Sequence, residues 1–112
     1  MPCPHVLAWL LAIALPGMAP AEALPAETLP PERRAELERL VVQDCGSCHG
    51  MRLTGGLGSD LTPEALAGRE PHDIARIVLD GVPGTAMPPW RPLLSEAEAA
   101  WIADYLIKGD AE

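Results

Sequence analysis

The chain has 112 residues, eight Lys and Arg against sixteen Asp and Glu for a formal net charge of −8, three Cys, three His and no Phe. A chain of this length without an internal repeat holds one small domain, whose limited core a buried cofactor would complete. The acidic balance argues against nucleic acid or an anionic membrane as partner. It is compatible with steering toward a basic docking surface and, more plainly, with a solvated exterior.

Residues 1–23 read as an export signal: an apolar run from Val6 to Leu15, a Pro16-Gly17 break, then small residues that place cleavage after Ala21 or Ala23. The run is shorter than the roughly 20 apolar residues of a lasting membrane span. Its leading segment lacks Lys and Arg and offers only the Met1 amine and His5, so a retained N-terminal anchor is the alternative. Cys3 precedes the apolar run, the wrong place for a lipidated mature terminus. Removal of 1–23 leaves Cys45 and Cys48 as the only cysteines, with fifteen acids against eight bases. Residues 24–30 are a Pro/Ala/Glu linker, too poor in large apolar groups to pack, and the folded domain is expected over 31–110.

The first predicted helix runs from Pro31 to about Cys45, with Leu37, Leu40 and Val41 on one face and Pro31 and Glu32 suited to its first turn. Met51 to Leu61 carries Gly55, Gly56 and Gly58 and reads as a loop that lets backbone approach something flat. Thr62-Pro63-Glu64 predicts a short helix by N-cap and N1-proline logic. Pro71 to Leu79 predicts another, with Ile74, Ile77 and Val78 inward and Gly81 as its stop. Val82 to Leu93 holds Pro83, Pro88, Pro89 and Pro92 with Gly84, a stiff extended loop around Met87. Ser95 and Glu98 form a capping box for a last helix whose Trp101, Ile102, Tyr105 and Leu106 face inward, ending near Gly109. No strand pattern occurs, so the fold is read as all-α. The first and last helices are taken as its strong amphipaths and are expected to cross.

The specific motif is Cys45-Gly46-Ser47-Cys48-His49. Two thiols one helical turn apart can add to the two vinyl groups of one haem while the adjacent imidazole reaches the iron, so this spacing points to a covalently held haem c. A zinc site from Cys45, Cys48, His49 and His72 would have adjacent ligands and one distant His, unlike ordinary finger spacing. A redox dithiol needs a strand leading into a helix. A structural disulfide across three residues would close too short a loop to stabilise much.

His49 is then the proximal ligand, and its other ring N–H should donate to a carbonyl at Ser59 or its neighbours. For the opposite face, Met51 stands too close to His49 to cross over, and His72 reads as a solvated first-turn residue. Met87, between Gly84-Thr85-Ala86 and Pro88-Pro89, has the reach and the stiffness; an open sixth position is the remaining possibility. Trp90 is offered either as a donor to a haem propionate or as plain packing. Arg91 is read as exposed rather than as a charge partner for that propionate, and Trp101 and Tyr105 as helix-crossing core.

The helix into the Cys-Gly-Ser-Cys-His motif, the Gly84-Thr85-Ala86-Met87-Pro88 loop and the aromatic last helix together resemble the class I cytochrome c family, over residues 31–108. More narrowly, Asp44 to Leu57, Leu61 to Leu66 and Gly84 to Leu94 are similar to the NirC group, small periplasmic cytochromes made alongside the haem-cd nitrite reductase of denitrifying bacteria. The resemblance implies a monomeric single-haem electron carrier, not an enzyme. Its implied partners are redox proteins, namely the nitrite reductase and a donor such as a quinol-oxidising complex. An accessory part in d-type haem biosynthesis or reductase maturation is the alternative. Many class I cytochromes carry Gly-Pro where this chain has Gly58-Ser59, which leaves open which carbonyl receives the proximal imidazole.

Overall fold

A computed structural model describes residues 29–109, together with Gly17. The expected signal with its cleavage points, residues 24–28 of the expected linker, and residue 110 lie outside this described part. Among the described residues there is no strand, and no helix is long and apolar enough to cross a membrane. The architecture is all-α, with helices α1 (Pro31–Leu40), α2 (Gly46–His49), α3 (Pro71–Asp80) and α4 (Glu96–Lys108) and a π-helical turn, Val41–Cys45, joining α1 to α2.

Helix α1 starts where proline chemistry allows it. Pro30 is extended at φ −58° and ψ 147°, Pro31 takes the first helical position where an N–H would lack a partner anyway, and the Arg34 amide donates to the Pro30 carbonyl at 3.0 Å. Leu29, just ahead of Pro31, packs partly against the core. At Val41 the helix takes one extra residue into its turn, and the Gly46 amide donates to the Val41 carbonyl five residues back. The helix therefore runs unbroken into the cysteine motif, with Val41 fully buried and Cys45 packed partly against the core.

The core is built from Leu37 and Val41 on the first helix, Leu53 and Leu66 from the following loop, Ile74, Ala75, Val78 and Leu79 on α3, Leu94, and Ala99, Ile102, Ala103, Tyr105 and Leu106 on α4. The pairing of first and last helices is present but is not the main one. α3 makes the broadest contact with α4, and its apolar stripe is more one-sided than that of α1, which buries only Leu37. The stripe is also rotated from the expected one: Ala75 and Leu79 turn inward, while Ile77 is left exposed.

The helix expected at Thr62 does not form. Thr62 does act as a cap, its hydroxyl accepting from the Ala65 amide at 3.3 Å, and Leu66 donates to the Thr62 carbonyl at 3.0 Å. The next bonds, Ala67 to Glu64 and Arg69 to Leu66, span three residues, and Gly68 at φ 80° ends the segment before a helical nucleus is repaid.

Helix α4 has the complete capping box: the Glu98 amide donates to Ser95 Oγ at 3.1 Å and the Ser95 amide to Glu98 Oε2 at 3.0 Å. The other Glu98 oxygen accepts from Arg33 Nε at 2.7 Å, so one carboxylate caps α4 and ties it to α1. The bond from Arg33 holds the Glu98 carboxyl below its ordinary value near 4.5. Its stabilising contribution is therefore full above that value and is lost as pH falls through the depressed folded-state pKa. Glu98→Gln is expected to lower stability at neutral pH, with the gap to the parent closing below about pH 4; denaturant titrations across that range measure it, and a gap independent of pH would contradict the ion-pair account.

Candidate cofactor site

Cys45, Cys48 and His49 lie on the π turn and α2, within the last stretch of a helix that the core holds through Leu37 and Val41. Ser47 Oγ donates to the Asp44 carbonyl at 2.7 Å, closing the backbone just inside the motif. Both thiols are free, with no bridge between them. Burial, and secondarily the Asp44 charge, pushes the Cys45 thiol up to about 11.

The imidazole of His49 is oriented by the loop on its C-terminal side. Nδ1 lies 2.7 Å from the Ser59 carbonyl oxygen. A carbonyl only accepts, so Nδ1 carries the proton and Nε2 keeps its lone pair for a metal. The expected acceptor is the one found, although Ser59 lacks the stiffness of a proline. What replaces that stiffness is a set of backbone bonds folding the loop onto the end of α2: Gly58 to Cys48 O at 2.7 Å, Gly55 to His49 O at 2.8 Å and Leu61 to Leu53 O at 2.8 Å. These satisfy two carbonyls that a helix end leaves without partners.

Leu53 plugs this loop into the core, 4% exposed, at φ 59°. A left-handed leucine costs on the order of 1–3 kcal/mol, sustained here by its burial and both backbone bonds. The flat object that the glycine loop approaches is the His49 ring itself. A Cβ on Gly58 would stand 2.7 Å from both Nδ1 and Cε1.

Met87 sits beyond α3 in the proline-rich loop, partly buried. The loop is clamped back onto α3: Trp90 donates to Val78 O at 3.1 Å, Arg91 to Leu79 O at 3.0 Å, and Val82 to Met87 O at 3.2 Å. Gly81 turns the chain at φ 65°, and any Cβ there would meet Met87 O at 2.7 Å and Pro88 C at 2.8 Å. The sequence marks Gly81 only as a helix stop; its second duty, letting the Met87 segment lie across the end of α3, leaves no local signal.

The other singled-out residues take various places. His72 is exposed at the start of α3, its Nδ1 3.3 Å from Asp73 Oδ1, and no three His, Cys, Asp or Glu side chains converge as a metal set among the described residues. The Met51 sulfur lies over Gly46, 3.6 Å from where a Cβ would stand, on the side of α2. Trp90 packs partly against the core. Arg91 is half exposed as expected, and its guanidinium bonds to Asp80 Oδ1 at 2.9 and 2.7 Å. Trp101 and Tyr105 stack with centroids 4.9 Å apart and line an open groove of about 500 Å³ with Pro31, Arg34, Ala35 and Glu38, which shares no residue with the Cys-His motif or the Met87 loop.

The donor set suits haem c: an imidazole with its second nitrogen fixed, a thioether on a clamped loop, and two unbridged thiols beside the imidazole. Residues 32–106 match the family described as Cytochrome C oxidase, cbb3-type, subunit III. A cytochrome c55X of Paracoccus denitrificans (strain Pd 1222) is 55% identical over 92% of this chain and 95% of its own length. The structure of a c-type cytochrome NirC superposes with a TM-score of 0.72 at 53% identity, over 74% of this chain and 98% of that one. A dihydro-heme d1 dehydrogenase, NirN, in complex with DHE matches with a TM-score of 0.58 at 36% identity, over 62% of this chain but 15% of that one.

Gly58→Ala drives a methyl into the His49 ring. The expected loss is about 1–3 kcal/mol in denaturant titration, accompanied by displaced His49 ring resonances in NMR spectra. Parent-like resonances would mean the loop yields before the imidazole does.

Proposed function

We infer, because the chain belongs to the class I cytochrome c family, that this electron-carrier cytochrome works in the periplasm with one covalently bound haem and donates electrons to a haem-cd nitrite reductase. The observation that carries the reading is the His49 ring, fixed at Nδ1 by Ser59 with Nε2 left as an electron-pair donor, beside two unbridged thiols at haem c spacing. When bound, haem c supplies a one-electron Fe(III)/Fe(II) couple.

In this reading Cys45 and Cys48 would hold the porphyrin through thioethers, and His49, through Nε2, and Met87, through its sulfur, would be the iron's protein ligands. The hydrogen bond to Ser59 makes the imidazole more electron-rich, and a thioether sulfur from Met87 would favour the reduced iron. Two such side-chain ligands would suit the protein to carrying electrons, with catalysis left to its partners. The Trp90 indole N–H would be available to a propionate. Residues 1–23 form the export signal, 24–30 lead into the domain, and the mature protein is a monomer that takes electrons from a donor such as a quinol-oxidising complex.

A second reading, a part in d-type haem maturation, is favoured by the likeness to a dihydro-heme d1 dehydrogenase, of which a domain like this one occupies a small share. A deletion strain separates the two: nitrite reduction lost with normal d-haem content supports the donor, and a reductase lacking d-haem supports maturation. Rapid mixing of the reduced protein with purified nitrite reductase is expected to give transfer within the reductase's turnover time; slow transfer there with fast transfer to other acceptors would overturn the donor reading. Met87→Ala is expected to lower the reduction potential and admit exogenous ligands to the ferric iron. An unchanged potential and spectrum would remove Met87 from the iron.

A further inference from the structure

Besides its clamps onto α3, the segment that carries Met87 is held from within. Pro83, Gly84, Thr85 and Ala86 are exposed, and a Cβ on Gly84 would find nothing within 4 Å. On its C-terminal side, Pro88 and Pro89 fix φ but have no N–H with which to tie the backbone down. On its N-terminal side Thr85 does the tying. Its Oγ1 donates to the Val82 carbonyl at 2.7 Å and accepts from the Met87 amide at 3.3 Å. The Thr85 amide donates to the same Val82 carbonyl at 3.1 Å, and the Val82 amide donates to the Met87 carbonyl at 3.2 Å. Val82 and Met87 thus grip each other across the loop, and among the described residues the Thr85 hydroxyl is the one side-chain group that bonds to both.

We infer that Thr85 is a positioning residue for Met87, holding the methionine backbone so that its sulfur is presented to the iron from a loop that is already ordered; this rests on the reading of Met87 as the distal ligand. A thioether binds ferric iron weakly enough for added ligands to compete with it. The fraction of time the sulfur is detached is set by how much freedom its backbone gains on release. Without the hydroxyl, the Met87 amide turns to water and the Val82 carbonyl keeps one bond in place of two. The loop then has more states to occupy once the sulfur lets go, and the bound state loses ground.

The test is absorbance titration of the ferric holoprotein with imidazole alone, for the parent and for Thr85→Val, Thr85→Ser, Met87→Ala and Glu98→Gln. Thr85→Val keeps the β-branched shape and removes the hydroxyl. It is expected to bind imidazole roughly five-fold more tightly than the parent, the effect of losing about 1 kcal/mol of hydrogen bonding at the competing ligand. Thr85→Ser keeps the hydroxyl and should restore the parent affinity. Glu98→Gln weakens the fold at bonds to Arg33 and Ser95, which include no residue of the loop, and should leave the affinity unchanged. If Thr85→Val binds imidazole like the parent while Met87→Ala binds it far more tightly, Thr85 does not position the ligand and Met87 keeps its role. If Glu98→Gln tightens binding as much as Thr85→Val, the effect is general loosening and the inference fails. If Met87→Ala itself matches the parent, Met87 is not the ligand and the role of Thr85 falls with it.

Discussion

The hydrogen bond from His49 Nδ1 to the Ser59 carbonyl is the constraint to which the surrounding architecture answers. It fixes a tautomer, and the tautomer decides which nitrogen can hold a metal. Holding a carbonyl 2.7 Å from an imidazole on a four-residue helix needs a loop that doubles back at once. That loop needs a residue without a side chain where it crosses the ring, an anchor in the core, and bonds to the end of the helix. Gly58, Leu53 and the Cys48 and His49 carbonyls supply these in turn. Helix α2 is in its turn placed by α1 through the π turn, and α1 is held to α4 by buried Leu37 and by Arg33 on Glu98.

Much of this is legible in the sequence because its signals are local. Proline at the first turn of α1, the capping box of α4, the Gly81 stop of α3 and the Cys-x-x-Cys-His spacing each report on residues within one turn of themselves. The Ser59 acceptor is legible for a related reason: a glycine loop next to a ligand histidine has few carbonyls to offer. The failures share the opposite character. The segment at Thr62 has a proper helix start, yet whether a start becomes a helix depends on the residues beyond it, and Gly68 arrives too soon. The face of α3 is easily misjudged because Ala75 looks unexceptional in a pattern dominated by Ile74, Ile77 and Val78, although it is Ala75 and Leu79 that turn inward. Leu53 cannot be found by pattern, since nothing in the sequence announces a left-handed leucine.

The π turn shows how a register problem is solved within one helix. Leu37 before it and Val41 at its start are fully buried, while Cys45 at its end and Cys48 and His49 beyond it are only partly buried. An extra residue in the turn lets Val41 and Cys45 both lie against the core while the helix continues to His49 without a kink or a proline. π turns of this kind recur at functional sites because they change side-chain direction while keeping the backbone bonded.

Charge obeys the same partition. The stretches 53–59 and 81–90, which carry the loop after His49 and the Met87 loop, contain no charged residue, whereas half of the acids lie on helices α1, α3 and α4. The nearest ion pair to the Met87 loop, Arg91 with Asp80, sits at its base and closes on itself. The acidic helices act at longer range, on solubility and on the approach of a partner, where salt screens them. His49 ends helix α2 and is fixed by the loop that follows it, so it belongs to both parts of the fold.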